Sequence, residues 1–394
     1  MAPGTVEEAL RRLEKTEPEI RAWVRVDAEA ARAEAGRAPE GPLLEVPFGV
    51  KDIIDVSGLP TECGSVLRRG RIAKADAWLV DRLRGAGAVP LGKTVTTEFA
   101  YFQPGPTRNP HNIHHTPGGS SSGSAAAVAA GVVPFALGSQ TAGSLTRPAA
   151  FCGIAGFVAA VGAWPTTGFT GLSETLDAPG LLAAQVRDLA TVVEAVDGTR
   201  TEIPSSPRVL LWPGTELAAV EPKMLEALRC TGRALDAGEL GDRVPTSLLA
   251  DAHVTVMAYE AALALAAEAE HPEFLSGHLN HLLQRGRQTP TDDYEAALDV
   301  RSAARAQILD LLDDVDAILG PAAPGPAPHG LDATGTPILS RPWQLLGLPV
   351  VTVPGHRDVW GMPLGLQLIG HPERVGRLLG LAEHIERTIE RNGG

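Results

Sequence analysis

Two clusters of small and hydroxyl-bearing residues hold most of the chemistry this chain could do. The first is Gly118-Gly119-Ser120-Ser121-Ser122-Gly123-Ser124. The second is Ser139-Gln140-Thr141-Ala142-Gly143-Ser144-Leu145-Thr146-Arg147-Pro148-Ala149. A serine attacks a carbonyl when a base takes its proton and fixed donors receive the oxyanion. Ser144 suits the attacking role because it follows Thr141-Ala142-Gly143. Those small side chains could aim successive backbone N–H groups at one point, the nest that a tetrahedral intermediate needs. Gly143 also permits φ > 0 and close approach of a substrate. The base must come from a short roster, since the lysines are only Lys15, Lys51, Lys74, Lys93 and Lys223. Lys51 lies beside apolar Val50 and Ile53, where burial would lower its pKa and keep the amine neutral.

Other residue patterns compete with these. Gly87-Ala88-Val89-Pro90-Leu91-Gly92-Lys93-Thr94 spells a phosphate loop. That motif needs a strand before it and a helix after it; here a helix precedes and β-rich Val95-Thr96-Thr97 follows. Pro90 also lacks a cradle N–H, so Lys93 reads as structural. Gly119-Ser120-Ser121-Ser122-Gly123 spells a nucleophile elbow centred on Ser121, with His356 or His371 as partner. An elbow needs a strand immediately upstream, and Asn109-Pro110-His111-Asn112-Ile113-His114-His115-Thr116-Pro117 is not one. Ser121 and Ser122 are expected to give supporting hydrogen bonds. His111, His114 and His115 invite a metal reading but have no evident acidic or thiol partner, so ordinary loop hydrogen bonds are expected. Arg147 is expected to be a structural ion-pair partner in preference to a substrate clamp, and Asp177 a structural acceptor. Trp78, Trp164, Trp212 and Trp343 are candidates for core or pocket wall.

The elements around these residues alternate between helix and strand. Thr5-Val6-Glu7-Glu8 is a capping box, followed by Val6, Ala9, Leu10 and Leu13 at helical spacing. Helices are expected over 27–38, 76–84, 124–130, 186–196, 218–235, 254–267 and 374–391. Strands are expected over 48–50, 89–97, 134–138, 208–212, 348–353 and 364–369. Thr199 to Pro207 is a linker or excursion, and 320–337 is rich in proline and glycine. This order favours an α/β fold with a central sheet between helical layers.

Composition narrows the classes. The chain has 394 residues, 44% hydrophobic, and a formal net charge of −13. That charge argues against nucleic acid as a partner, because phosphate binding needs a basic surface. No apolar run reaches the ~18 residues of a membrane span, and Met1-Ala2-Pro3-Gly4 lacks a basic segment and an apolar stretch, so export is not expected. Cys63, Cys152 and Cys230 are odd in number and far apart, fitting neither a disulfide framework nor a metal site. A reducing cytoplasm is the default.

With these residues in place, the chain resembles the amidase signature family of Ser-Ser-Lys amide hydrolases. The resemblance also rests on Leu59-Pro60-Thr61-Glu62-Cys63-Gly64-Ser65, on Gly92-Lys93-Thr94 with Thr97-Glu98-Phe99, and on Cys152-Gly153-Ile154-Ala155-Gly156-Phe157. Thr175-Leu176-Asp177-Ala178-Pro179-Gly180, Leu346-Gly347-Leu348-Pro349 and Gly361-Met362-Pro363-Leu364-Gly365-Leu366-Gln367 extend it. It implies one domain with a mixed, largely parallel sheet, its core at 40–197 and 315–394. The less recognisable 200–315 would cover the substrate. It assigns Ser144 as nucleophile, Ser120 as proton shuttle and Lys51 as base, with a cis bond between Gly119 and Ser120. Thr141, Ala142 and Gly143 would form the oxyanion site, supported by Gly119, Ser121 and Arg147. No metal or organic cofactor is implied. The reaction would be hydrolysis of a small carboxamide, with a homodimer as one possible assembly. A ureido substrate, as in allophanate-type relatives, is the alternative. Service as one component of a transamidase is disfavoured by the acidic charge, and a catalytically dead homologue is the third class. Four departures stand out: Ser122 for the usual glycine, Gln140 for the usual acid, Arg147 one place later than usual, and Val158-Ala159-Ala160 for Lys-Pro-Thr. The last puts supporting contacts in doubt, not the triad.

Overall fold

The computed structural model describes residues 4–391. Part of the segment Met1 to Gly4, on which the export expectation rests, lies outside them. Eleven strands make one sheet: β1 Trp23–Val26, β2 Pro47–Lys51, β3 Val89–Thr94, β4 Phe135–Gln140, β5 Ala155–Val158, β6 Ala178–Ala183, β7 Val209–Leu211, β8 Gly238–Glu239, β9 Ala317–Pro321, β10 Val350–Arg357 and β11 Pro363–Ile369. Their spatial order is β1-β3-β2-β4-β6-β5-β10-β11-β9-β7-β8. The α/β class is as expected. The parallel weighting is not: β3-β2-β4 and β9-β7-β8 run parallel. The middle from β4 through β6, β5, β10 and β11 to β9 is antiparallel. β10 and β11 are joined by a short hairpin connection, and β5 and β6 follow one another with no helix between them, so both pairs run antiparallel.

Local chemistry explains the ends of the elements. Thr5 caps the first helix, Val6–Ile20, and Glu8 returns the bond to the Thr5 amide, completing the capping box. The second helix is Ala28–Ala35 with Asp27 as its cap, shorter than its alanine-rich sequence suggested. β2, β4, β6, β9 and β11 are buried along their whole length, as strands covered on both faces must be. The small-residue helix Ser122–Ala129 is buried almost throughout. A Cβ on Gly123 would lie 2.2 Å from the Ala22 carbonyl oxygen and 2.3 Å from the Val95 nitrogen, so only glycine lets this helix approach the chain beside it.

The region 200–315 is largely helical. Thr246–Ala264, Gly277–Gln288 and Thr291–Asp314 pack together, and the last is 24 residues long. Among the described residues no helix is long and apolar enough to cross a membrane. Trp164, Trp212 and Trp343 are core residues, and Trp78 is half-buried. Val158, Ala159 and Ala160 are buried too, so apolar packing occupies the place where Lys-Pro-Thr was missing.

Candidate active site

The site gathers at the carboxyl ends of the parallel strands β2 and β4, where α/β sheets bind ligands. Lys51 ends β2 and is fully buried. Its Nζ lies 2.7 Å from Ser120 Oγ and 2.9 Å from Ser139 Oγ. Ser139 sits on β4, the parallel neighbour of β2. Sequence reasoning missed it: the expected strand ended at 138, and the strand runs on through Ser139 to Gln140. The Gly119–Ser120 peptide bond is cis, as the resemblance implied.

Lys51 forms no ion pair among the described residues, and burial brings its pKa down to about 7, against the opposing charges of Asp177 and Cys63. Half of the amine is then neutral near pH 7. Neutral Nζ has two N–H groups and one lone pair, so it can donate to Ser139 and accept from the Ser120 hydroxyl.

Ser144 lies between β4 and the helix Thr146–Cys152. It lines one cavity with Ser120, Thr141, Ala142 and Gly143. The hydroxyls of Ser144 and Ser120 are not hydrogen-bonded to one another here. The loop is held from several sides. Gln140 Oε1 accepts from the amides of Leu145 and Thr146, each at 3.0 Å. Gln140 therefore does as a neutral amide what an acid in its place would do. Its own Nε2 donates to Gln344 Oε1 at 3.0 Å, and Gln344 Nε2 donates to the Leu176 carbonyl at 2.5 Å. Asp177 accepts from the Thr141 hydroxyl and from the amides of Leu172 and Ser173. It is thus the structural acceptor expected, and burial pushes its carboxyl pKa up against those bonds. His253, from the helix Thr246–Ala264, places Nε2 2.8 Å from the Thr141 carbonyl oxygen. Burial lowers its pKa to about 3, so the ring is neutral and Nε2–H is the donor. The amides of Ala142, Gly143 and Ser144 make no hydrogen bond within the described residues, which leaves them free for an oxyanion.

Supporting roles divide. Ser121 donates its amide to the Ser144 carbonyl at 3.2 Å and its hydroxyl to the Ser139 carbonyl at 3.4 Å. Ser122 donates to the Val95 carbonyl. Arg147 departs from expectation: it forms no ion pair among the described residues. Its Nη2 donates to the Gly119 carbonyl at 2.6 Å and to Thr334 Oγ1 at 3.3 Å. Sequence spacing could not show that no acid meets it.

The cavity wall was largely invisible in sequence. Tyr101, Phe102, Leu172, Met257, Pro337 and Arg341 contribute to it. Phe99, Ala100 and Phe102 have φ of 44°, 61° and 34°. Left-handed conformations at non-glycine residues cost ~1–3 kcal/mol each and concentrate where a site needs a particular side-chain direction.

The competing motifs are accounted for. Val89–Thr94 is a strand, and Lys93 forms a buried ion pair with Asp52 at 3.0 Å, so no phosphate cradle exists there. His356 bonds Thr231 at 2.8 Å, and His371 caps a short turn by accepting from the Glu373 amide. Neither serves Ser121. His111 and His115 bond the carbonyls of Cys152 and Ala327 at 2.9 and 2.7 Å.

A buried lysine bonded to a serine that follows a cis peptide, beside a second serine under free amides, on an eleven-stranded mixed sheet, points to one class of amide-processing enzyme. The chain belongs to the amidase family: the family model for amidases matches residues 4–231. It is 31% identical to a component of the glutamyl-tRNA(Gln) amidotransferase of Bacillus velezensis, over 98% of this chain and 93% of that protein. It is 32% identical to AmiA2 of Mycobacterium bovis, a protein assigned as an amidase, over 97% of this chain and 88% of that one. A solved amidase structure superposes with a TM-score of 0.88 at 31% identity, covering 97% of this chain and 95% of the other.

Proposed function

We propose that this enzyme hydrolyses a small carboxamide through an acyl-enzyme on Ser144. The observation that carries the reading is the 2.7 Å bond between Ser120 Oγ and a fully buried Lys51 that forms no ion pair among the described residues. Ser144 Oγ attacks the carbonyl carbon and gives its proton to Ser120, whose own proton passes to Lys51 Nζ. The oxyanion accepts from the amides beside Gly143. Collapse breaks the C–N bond, and the lysine proton returns through Ser120 to the leaving nitrogen. Water then enters and repeats the relay, releasing the acid and regenerating Ser144. Met257, on the helix Thr246–Ala264, forms part of the cavity wall, which supports a covering role for 200–315. The free cysteines suit a cytoplasmic setting.

A serine-reactive fluorophosphonate tests the reading. It should label the wild type and fail on folded Ser144→Ala, which should also release no ammonia from any amide. Wild-type turnover by Ser144→Ala would sink the assignment. The resemblance to an amidotransferase component supports a second reading, transfer of amide nitrogen within a complex. Robust ammonia release by the monodisperse chain alone would count against it. Ureido compounds assayed beside simple amides separate the allophanate-type alternative.

A further inference from the structure

The helix Thr246–Ala264 turns one face toward the nucleophile loop. Positions 253, 257 and 260 are four and three residues apart, so their side chains share that face. Met257 lines the cavity that holds Ser144. Glu260 accepts from the Ser173 hydroxyl, the Thr175 amide, the Thr175 hydroxyl and the Tyr294 hydroxyl, at 2.5, 3.0, 2.8 and 2.8 Å. Those bonds tie the helix to the segment that carries Asp177. His253 completes the face, with Nε2 2.8 Å from the Thr141 carbonyl oxygen.

His253 is fully buried, and its Nδ1 has no partner among the described residues. The contact fixes the tautomer, because a carbonyl oxygen only accepts. Nε2 therefore carries the proton and Nδ1 a bare lone pair. Leaving a buried acceptor unmet costs more than one neutral hydrogen bond returns. A leucine would fill much of the same space without that cost. The imidazole is thus a net burden on the fold. What it gives in return is one N–H donor aimed at one carbonyl.

That carbonyl belongs to the peptide unit whose other polar group is the Ala142 N–H. The unit is planar, so its two ends turn together. The Thr141 side chain is held by Asp177, which fixes the residue but not the plane beyond it. The Ala142 amide makes no hydrogen bond among the described residues. A donor at the carbonyl sets the rotation of the plane. It also polarises the unit, which makes the N–H at the other end a stronger donor.

We infer that His253 is a positioning residue for the oxyanion: by donating Nε2–H to the Thr141 carbonyl, it aims and strengthens the Ala142 N–H for the oxygen that becomes charged when Ser144 attacks. The 200–315 segment then contributes to turnover as well as to the cavity wall. This deepens the hydrolase reading above and rests on it. The ring takes no proton at any step, since a second N–H at Nδ1 would find no acceptor.

A fluorophosphonate tests this on the full chain without knowledge of the substrate. Ser144 Oγ forms a bond to phosphorus, the P–F bond breaks and fluoride leaves, and the serine proton passes through Ser120 to Lys51. The phosphoryl oxygen takes the place of the oxyanion. Labelling is followed for the wild type, His253→Leu and His253→Gln, with circular dichroism to confirm folding. Losing a whole oxyanion donor costs about 10²–10³-fold, so losing the group that aims one should lower the maximal labelling rate of His253→Leu by about 10- to 100-fold. The concentration for half-maximal rate should not change. His253→Gln should recover most of the rate, because its side-chain amide can bring an N–H to the same carbonyl. In wild type with ¹⁵N-labelled histidine, NMR should show Nε2 protonated and Nδ1 bare from pH 5 to 9. The Nε2–H proton should move downfield once Ser144 is phosphonylated, because the Ala142 N–H then donates and its carbonyl becomes a better acceptor.

The NMR measurement and His253→Gln decide the matter even if His253→Leu fails to fold. Wild-type labelling by folded His253→Leu would overturn the inference and leave the hydrolase reading standing. So would a loss confined to the half-maximal concentration, a folded His253→Gln slowed by the factor expected for His253→Leu, a proton on Nδ1, or a resonance that phosphonylation does not move. A wild type that the fluorophosphonate does not label at Ser144 would overturn the hydrolase reading, and the inference with it.

Discussion

Replacing Lys51 probes the proton relay most directly. Burial moves its pKa from 10.5 to about 7, a displacement worth about 5 kcal/mol at 1.36 kcal/mol per unit. At pH 7 an ordinary lysine is neutral in only about three molecules in ten thousand, whereas this one is neutral in about half. The fold thus enriches the competent base by about a thousandfold. Since an ammonium has no acceptor, kcat/KM should fall about tenfold per pH unit below a midpoint near 7 and level off above it. Lys51→Ala should lose most of the activity, about 10²–10⁴-fold or more for a positioned base. Lys51→Arg should not restore it, because the guanidinium stays charged. The assay is the pH dependence of kcat/KM from pH 5 to 9 for the three proteins, with circular dichroism to confirm folding. An active Lys51→Arg enzyme, or a wild-type profile flat to pH 5, would show that another group takes the proton.

The remaining predictions concern neighbouring atoms and the cost of the site. Between about pH 7 and 10.5 only the unfolded chain protonates Lys51, so this residue lowers stability as pH falls through that window and adds nothing further below it. Lys51→Met should therefore unfold at higher urea than the wild type at pH 7, by roughly 2 kcal/mol after the loss of contacts to Ser120 and Ser139, with the gap closing toward pH 10. A gap that widens with pH would refute the assigned direction of the shift. Ser120→Ala should reduce kcat severely yet less completely than Ser144→Ala, because water can partly replace a relay hydroxyl; equal residual rates would argue against distinct roles. A Cβ on Gly143 would lie 2.9 Å from Pro337 Cβ and 3.2 Å from its Cα. Gly143→Ala should thus shift the oxyanion loop and lower kcat by about 10²-fold while the thermal transition stays cooperative, measured by steady-state kinetics and calorimetry.

Much of this site was legible in the chain itself. Ser144 behind three small residues, Lys51 at the end of an apolar strand and the cap at Thr5 and Glu8 are local patterns, and local patterns act through neighbours in sequence. The resemblance added Ser120 and its cis bond. What stayed hidden depends on residues far apart in the chain. Gln140 meets Gln344 across 204 positions, and His253 reaches the Thr141 carbonyl across 112. Arg341 joins Arg147 in one cavity only because the segment after β9 folds back over the loop after β4. The direction of β5, β6 and β11 was equally hidden, since buried parallel and antiparallel strands carry the same apolar composition. The order of residues set which groups were available to react. Packing set their ionisation and their partners, because both depend on what excludes water around Lys51 and on the absence of any acid beside Arg147.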